Sequence, residues 1–175
     1  VLPVRADVAR IADGGARRTA QPQAATGIVF PQDEGDHPNA LTEWWYLNGH
    51  LETNGIGPFK TKYGYEFTLF KVGPLLHWAH VAISDPKGKR FKYTRQFIKP
   101  SAAKGPVGQL AAQYGDHGFK ALVGGRYQLT TKFGEEAFDL TITPKKQPLL
   151  IGGDGKIDMP EGKDSWYYSQ TRNDV

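Results

Sequence analysis

Two carboxylates stand among aromatic residues and could supply an acid. Glu43 directly precedes Trp44, and Glu66 lies between Tyr65 and Phe67. Burial of a carboxyl group in an apolar pocket raises its pKa, so the acid form persists near neutral pH and can donate a proton. The alternatives are that Glu66 faces solvent, because the aromatic face of its strand is the core, and that Glu43 only accepts backbone hydrogen bonds from the preceding acidic loop.

The aromatic block Trp44-Trp45-Tyr46 could form the wall of a binding site. Side chains alternate along a strand, so Trp44 and Tyr46 face one way and Trp45 the other. Each ring buries roughly 150–250 Å² when it is enclosed, and the simpler interpretation is that these rings fill the core. The alternative is an apolar ligand pocket, to which we predict that Tyr65 and Tyr168 also contribute.

An acidic segment upstream carries oxygen and imidazole groups, which are ligands that divalent metals accept. It contains Asp33, Glu34 and His37, but their spacing matches no recognised ligand motif, and the chain has no cysteine. We therefore predict no metal and no cofactor, and interpret the three residues as structural groups that cap backbone N–H groups. His77 and His80, three residues apart in a predicted strand, face opposite sides and form no joint site.

Composition and charge exclude several classes of protein. The 175 residues carry a net charge of +4, and the basic residues are scattered, as at Lys60, Lys62 and Lys71, which predicts a solvated surface and no nucleic-acid stripe. No apolar run approaches the roughly 18 residues of a membrane-spanning helix. The chain has neither a Gly-x-Ser-x-Gly motif nor a phosphate-binding loop, so a hydrolase assignment has no support in these residues.

Short strands must position these groups. The 21 glycines and 12 prolines separate short apolar stretches, which is typical of hairpins. Residues 59–72 alternate with period two and place Tyr63, Tyr65, Phe67 and Leu69 on one face. We predict a mobile lead-in over residues 1–29 and one antiparallel all-β sandwich or barrel over residues 30–175. The predicted strands are 43–52, 59–72, 77–84, 90–98, 109–114, 126–133, 137–143, 149–151 and 166–172.

Four sequence blocks occur in an order that is specific to one family. They are Phe30-Pro31-x-Asp33-Glu34-Gly35-x-His37-Pro38, Glu43-Trp44-Trp45-Tyr46-x-x-Gly49-His50-Leu51, Tyr65-x-Phe67-Thr68-x-Phe70 and Tyr167-Tyr168-Ser169-x-Thr171-Arg172. Through them, residues 30–172 resemble the amino-terminal domain of the carotenoid 1,2-hydratase (hydroxyneurosporene synthase) family, which includes secreted bacterial proteins of the AttH type.

That resemblance implies an antiparallel lipocalin-like (calycin-type) β-barrel, one of two barrels expected in the full-length protein. It implies two partners, a second lipocalin-like domain and an apolar small molecule, and an exported protein that is periplasmic or extracellular. By analogy with lipocalin-type barrels, we expect Arg172 to close the barrel end by stacking on a tryptophan. The family's second barrel, with its Trp-x-Asp-His-Glu type of motif, is not in this chain, and we expect the natural protein to continue.

Two hypotheses of different classes follow. In the first, the domain is a non-catalytic binding and scaffold half that helps to enclose an isoprenoid or lipid-like molecule. In the second, it is part of a hydratase, a lyase that adds water to a C=C bond of an isoprenoid. The resemblance places the main acid of such an enzyme in the second barrel, so that Glu43 and Glu66 are only candidates for additional catalytic groups.

Overall fold

The computed structural model describes residues 4–7, 27–54, 57, 60–98, 109–160 and 164–175. Nearly all regular structure in these ranges is β-strand, with short 3-10 turns at Gln32–Glu34 and Ile151–Gly153. The strands are β1 Val4–Asp7, β2 Thr42–Thr53, β3 Lys62–Val72, β4 Leu76–Asp85, β5 Arg90–Ile98, β6 Ala111–Tyr114, β7 His117–Leu122, β8 Arg126–Phe133, β9 Glu136–Pro144, β10 Leu149–Leu150, β11 Lys156–Asp158, β12 Asp164–Trp166, β13 Tyr168–Ser169 and β14 Asn173–Asp174.

Ten of these strands form one antiparallel sheet in the order β5-β4-β3-β2-β1-β14-β9-β8-β7-β6. The remaining four form two small pairs, β10 with β13 and β11 with β12. The predicted all-β antiparallel class is confirmed. The terminal strands β5 and β6 are not hydrogen-bonded to each other within the described ranges, so closure into a barrel stays a prediction.

The core lies between two halves of the sheet, β2–β5 and β6–β9, which face each other. Tyr65 of β3 packs edge-on against Phe138 of β9, with ring centroids 6.1 Å apart. Phe67 lies opposite His117 of β7 at 6.4 Å. Complete burial of a side chain such as Phe67 or Leu69 contributes about 1.5–3 kcal/mol. The inward-facing residues of both halves therefore form one continuous apolar core.

Strand alternation sorts the residues of β3 as the sequence predicts. Tyr65, Phe67 and Leu69 are buried, and Tyr63 packs against the same core. The register of β2, β3 and β4 extends this parity across the sheet, since Trp45 pairs with Leu69 and Leu69 pairs with Ala79. Each of these strands therefore has one inner face and one outer face.

Polar contacts hold the two halves together at the β5 edge. The buried His117 ring lies between Gln96 of β5 and Thr131 of β8, with its Nε2 2.7 Å from Gln96 Oε1 and its Nδ1 2.6 Å from Thr131 Oγ1. Lys92 of β5 pairs with Glu136 at the start of β9. The sheet thus curls until its first strands approach its last ones.

Some elements differ from the sequence prediction. Strand β7 was not predicted, because its segment His117–Leu122 mixes Gly118 and Lys120 into the alternation. The predicted strand 166–172 is interrupted at Tyr167, which separates β12 from β13. The Tyr167 N–H donates to the Gly155 carbonyl instead of to a strand partner. Most of the predicted lead-in 1–29 lies outside the described residues. Its segment Val4–Asp7 is strand β1, which pairs with β2.

The membrane prediction concerned helices alone. None of the helical segments in the described ranges has the length and apolar character that a membrane span requires.

Candidate functional site

A buried lysine connects the acidic loop to the sheet. Lys71, near the end of β3, has a side chain that is only 6% exposed. Its Nζ donates to Glu43 Oε2 at 3.2 Å and to the His37 carbonyl at 2.7 Å, and it pairs with the Asp36 carboxylate. A buried ammonium group needs such partners because its desolvation is costly. The predicted solvated position of Lys71 was wrong.

His37 extends this cluster towards solvent. Its Nδ1 lies 2.5 Å from Glu43 Oε1, its Nε2 lies 3.1 Å from Asp33 Oδ1, and its backbone N–H donates to Glu43 Oε2 at 3.0 Å. Burial lowers the pKa of His37, but the hydrogen bonds to Glu43 and Asp33 outweigh burial and raise the pKa above its usual value. Asp33 also accepts the Val29 N–H. These contacts fix the loop before β2.

Glu34 is a buried acid beneath the same loop. Its carboxylate accepts the Tyr127 hydroxyl at 2.5 Å, and its backbone carbonyl accepts the Trp45 indole N–H at 2.9 Å. Burial raises the pKa of Glu34, and the hydrogen bond from Tyr127 opposes that rise only in part. Burial and then the charge of Glu34 raise the pKa of the Tyr168 phenol, whose ring packs edge-on to Phe30 at 4.7 Å. Burial thus shifts the pKa of Glu34 in the direction that a proton donor requires.

His77 is a buried imidazole beside Lys71. The two residues are cross-strand partners, and the His77 ring centroid lies 4.9 Å from that of Tyr114. Both ring nitrogens are buried, and neither has a hydrogen-bond partner among the residues that the structure describes. Burial lowers the pKa of His77, as does the charge of Lys71, while Asp36 acts in the opposite direction. The neutral ring is therefore favoured.

The outer face of strands β2–β5 carries a row of four aromatic residues. The register pairs Trp44 with Phe70, Phe70 with Trp78 and Trp78 with Phe97. The rings of Phe70 and Trp78 stack at 5.1 Å, and Trp78 lies 6.1 Å from Phe97. Trp44 is 41% exposed and Phe97 is 69% exposed. We call Trp44, Phe70, Trp78 and Phe97 the aromatic row.

The five predicted ligand-binding residues do not share one surface. Trp45 and Tyr65 belong to the core, and burial raises the pKa of Tyr65 to about 12. Trp44 and Tyr46 lie on the outer face, where Tyr46 stacks on Tyr167 at 6.4 Å. Tyr168 lies apart, beside Phe30. The outer face brings together only two of the five.

The predicted acids are also separated. Glu43 belongs to the Lys71 cluster and accepts the His37 backbone N–H, whereas Glu66 lies half-buried on the outer face and accepts the Thr68 hydroxyl. Arg172 is exposed, and its carbonyl accepts the Lys145 N–H. Within the described ranges it makes no stacking contact with a tryptophan. Strand β13 ends at Ser169, so Arg172 lies outside the strand that carries Tyr168.

Sequence reasoning did not select Lys71, His77 or Tyr127. The sequence did indicate that Lys71 is buried, because it lies at every-second-residue spacing after Tyr65, Phe67 and Leu69 and so on the same inner face. For Tyr127 there was none, because its contact with Glu34 joins residues 93 positions apart. Within the described part of the chain, no group of three or more His, Asp or Glu residues is arranged to hold a metal ion.

These features define an antiparallel all-β domain with a buried polar cluster at one end and an aromatic outer face. The AttH-like family model matches residues 21–175, and the chain belongs to this family. No curated protein matches it. The crystal structure of a candidate AttH protein from Nitrosomonas europaea is similar, with 27% identity and a TM-score of 0.70. The match covers 85% of this chain and 48% of that one, so the chain spans about half the length of that protein.

Replacing Lys71 with Met should destabilise the fold strongly. The substitution removes Lys71 from its pair with the mostly buried Glu43, and loss of one member of a buried ion pair costs about 3–5 kcal/mol. Chemical denaturation measures the change in the free energy of unfolding. The control is Lys145→Met, which removes an exposed pair with Asp174 and should change stability by less than about 1 kcal/mol. Equal decreases in the free energy of unfolding of the two variants would show that the Lys71 cluster does not hold the acidic loop.

His77 should make the fold less stable in acid. Its pKa is lowered in the folded state, so below the unfolded value of about 6.5 the unfolded chain takes up a proton that the folded chain does not. As the pH decreases below that value, the free energy of unfolding therefore decreases too, by at most about 1.4 kcal/mol per pH unit for this one group. His77→Phe, which keeps a ring against Tyr114, should flatten the slope below about pH 6.5. An unchanged slope, or an equal effect of the exposed-site control His50→Gln, would contradict this assignment.

Proposed function

We propose that this chain is a lipocalin-like AttH domain that binds, or helps to enclose, an apolar small molecule of the isoprenoid or lipid class. The observation that carries the proposal is the aromatic row on the outer face of β2–β5. Its end residues Trp44 and Phe97 remain substantially exposed. Large contiguous apolar surfaces are unusual on monomeric proteins and mark ligand or partner sites.

The packing of the side chains favours the outer face over the interior as the ligand-binding site. The inner face of the same strands buries Phe67, Leu69 and Val81 completely, and these side chains pack against the opposite half of the sheet. On the outer face Tyr167 covers Tyr46, whereas Trp44 and Phe97 at the two ends of the aromatic row stay exposed. Flat aromatic rings offer a large apolar contact area that loses little side-chain entropy on binding. An apolar ligand therefore finds its largest available contact on the outside of the sheet.

The second wall of the site is supplied, in this proposal, by a second lipocalin-like domain. The support is the length of the similar Nitrosomonas europaea protein, of which the match covers 48%. A molecule held between the aromatic row and a second apolar surface loses more water contact than on one face alone, which strengthens binding. The domain described here is then the scaffold half of the enclosure.

Binding to the aromatic row can be measured with farnesol as a neutral isoprenoid probe. We expect farnesol to shift tryptophan emission, since Trp44 and Trp78 lose water on binding. The double variant Trp44→Ser/Phe97→Ser should weaken binding at least about tenfold, which is about 1.4 kcal/mol. Both residues are partly exposed, so the fold should survive, and a melting curve checks this. Val123→Ser, at a position that is 91% exposed, is the control.

The proposed location of the binding site is wrong if the double variant binds farnesol as tightly as the wild type. In that case a variant of the interior, Tyr65→Leu, should weaken binding instead, and a cavity near Tyr65 becomes the better proposal. The absence of any binding in a well-folded protein that carries both domains would remove the proposal altogether.

A hydratase is the second candidate function, and Glu34 favours it. Its side chain is buried, and burial raises its pKa, which is the direction that a proton donor requires. In this reaction Glu34 would donate that proton to one carbon of the C=C bond, water would add to the other carbon, and the proton lost by the water would return to the carboxylate. The net change is the addition of one water molecule.

Mass spectrometry of isoprenoid incubations separates the two functions. The hydratase hypothesis predicts a product heavier than its substrate by one water, which the wild type forms and Glu34→Gln does not. Glu135→Gln, at an exposed site, is the control. The binding module predicts no such product from this chain. A product that forms equally in Glu34→Gln would show that Glu34 is not the acid.

A further inference from the structure

The outer face contains a groove beyond the aromatic row. It has a volume of about 300 Å³, and its lining includes Asn48, His50, Glu66, Ala82, Ser84 and Phe91. Gly64 forms part of its floor, and a Cβ atom there would lie 2.5 Å from Ser84 Oγ. The groove therefore depends on a residue without a side chain between β2 and β4.

Glu66 places an uncompensated carboxylate in this groove. One of its oxygens accepts the Thr68 hydroxyl, and in the described ranges no Lys or Arg nitrogen pairs with it. The side chain is half-buried, so water solvates the charge less well than on an open surface. A cation that enters the groove would replace this lost solvation.

The aromatic walls indicate which cation fits. Phe91 lines the groove and is 69% exposed, and Tyr93 lies across Ala82 from Glu66 in the same cross-strand row. Aromatic faces attract organic ammonium groups, whereas hard metal ions require six or more oxygen ligands. One carboxylate beside aromatic rings is therefore suited to an alkylammonium head group.

We propose that this groove binds the ammonium head of an amphiphile whose apolar chain lies on the aromatic row. The inference rests on the proposed function, since it names the class of ligand for the same face. Phe70 and Glu66 are four residues apart on β3, so the aromatic row and the carboxylate are separated by about 13 Å. A single extended alkyl chain spans that distance.

Arg95 is a cation on this face that would favour a ligand of the opposite charge. Its guanidinium lies 5.3 Å from the centroid of the Phe97 ring, at the β5 edge. It is exposed and therefore well solvated, so it contributes little to the binding of an anion. Glu66, half-buried in a groove, is the stronger determinant of head-group charge.

Calorimetric titration with dodecyl amphiphiles below their micelle concentrations tests the inference. The probes are dodecyltrimethylammonium, dodecyl maltoside and dodecyl sulfate, at about pH 8 so that unperturbed imidazoles are neutral. We expect the cationic probe to bind at least about tenfold more tightly than the neutral one. Glu66→Gln should remove this preference and leave the affinity for dodecyl maltoside unchanged. Asp158→Asn, at an exposed site, makes the same change in net charge and is the control.

A second variant tests the aromatic wall. Phe91→Ser should lower the affinity for the cationic probe by about two- to fivefold and leave the affinity for the neutral probe unchanged. Equal affinities for the cationic and neutral probes would overturn the inference and leave the proposed function intact. Tighter binding of dodecyl sulfate that is lost in Arg95→Gln would also overturn it. Failure of all three probes to bind would contradict the proposed function as well.

Discussion

The buried ammonium group of Lys71 is the constraint on which the architecture of one end of the domain depends. An ammonium group at this depth is tolerated only with its charge compensated, and the compensating groups come from different parts of the chain. Asp36 belongs to the acidic loop, and Glu43 belongs to strand β2. The charges of Lys71 and Asp36 also act on the pKa of His77, in opposite directions. The acidic loop and the strand pair β2–β3 are thus joined through one buried cation.

The alternation of β2–β5 allows one set of strands to serve two purposes. Inner residues such as Phe67 and Leu69 are completely buried and supply the stability of the fold. Outer residues at the intervening positions, such as Phe70 and Trp78, are not needed for that core and form a separate surface. Because the two sets alternate along the same backbone, the rigidity that the core gives to each strand also fixes the outer rings. A surface held in this way is preorganised for binding.

Much of the fold was predictable from local pattern. The strict alternation around Tyr65 and Phe67 identified β3 and its buried face, and glycine and proline marked most hairpins. Strand β7 was missed because its buried residues, among them His117 and Gly118, are not those that a hydrophobic pattern selects. The interruption of the last strand at Tyr167 depends on a hydrogen bond to Gly155, which no local rule indicates.

The site was less predictable than the fold, because its groups meet through long-range contacts. The sequence drew attention to Glu34, His37 and Glu43, but not to Lys71 and Tyr127, which bind them from β3 and β8. Trp44 and Trp45 were assigned to opposite faces by parity alone, as the structure has them. Which of those faces is the interior depended on how the whole sheet curls. Strand alternation predicts which residues share a face, and tertiary packing determines which of the two faces is buried.

Strand β5 carries charges that oppose pairing with further copies of the domain. It ends the ten-stranded sheet, so within the described ranges one of its backbone edges has no neighbouring strand. Such an edge, next to the exposed rings of Phe91 and Phe97, could template the addition of further strands and lead to aggregation. The strand carries Arg90, Lys92 and Arg95 at intervals along its nine residues. Two copies pairing edge to edge would bring these like charges together, and the repulsion of Arg95, which forms no ion pair within the described ranges, opposes such pairing most directly.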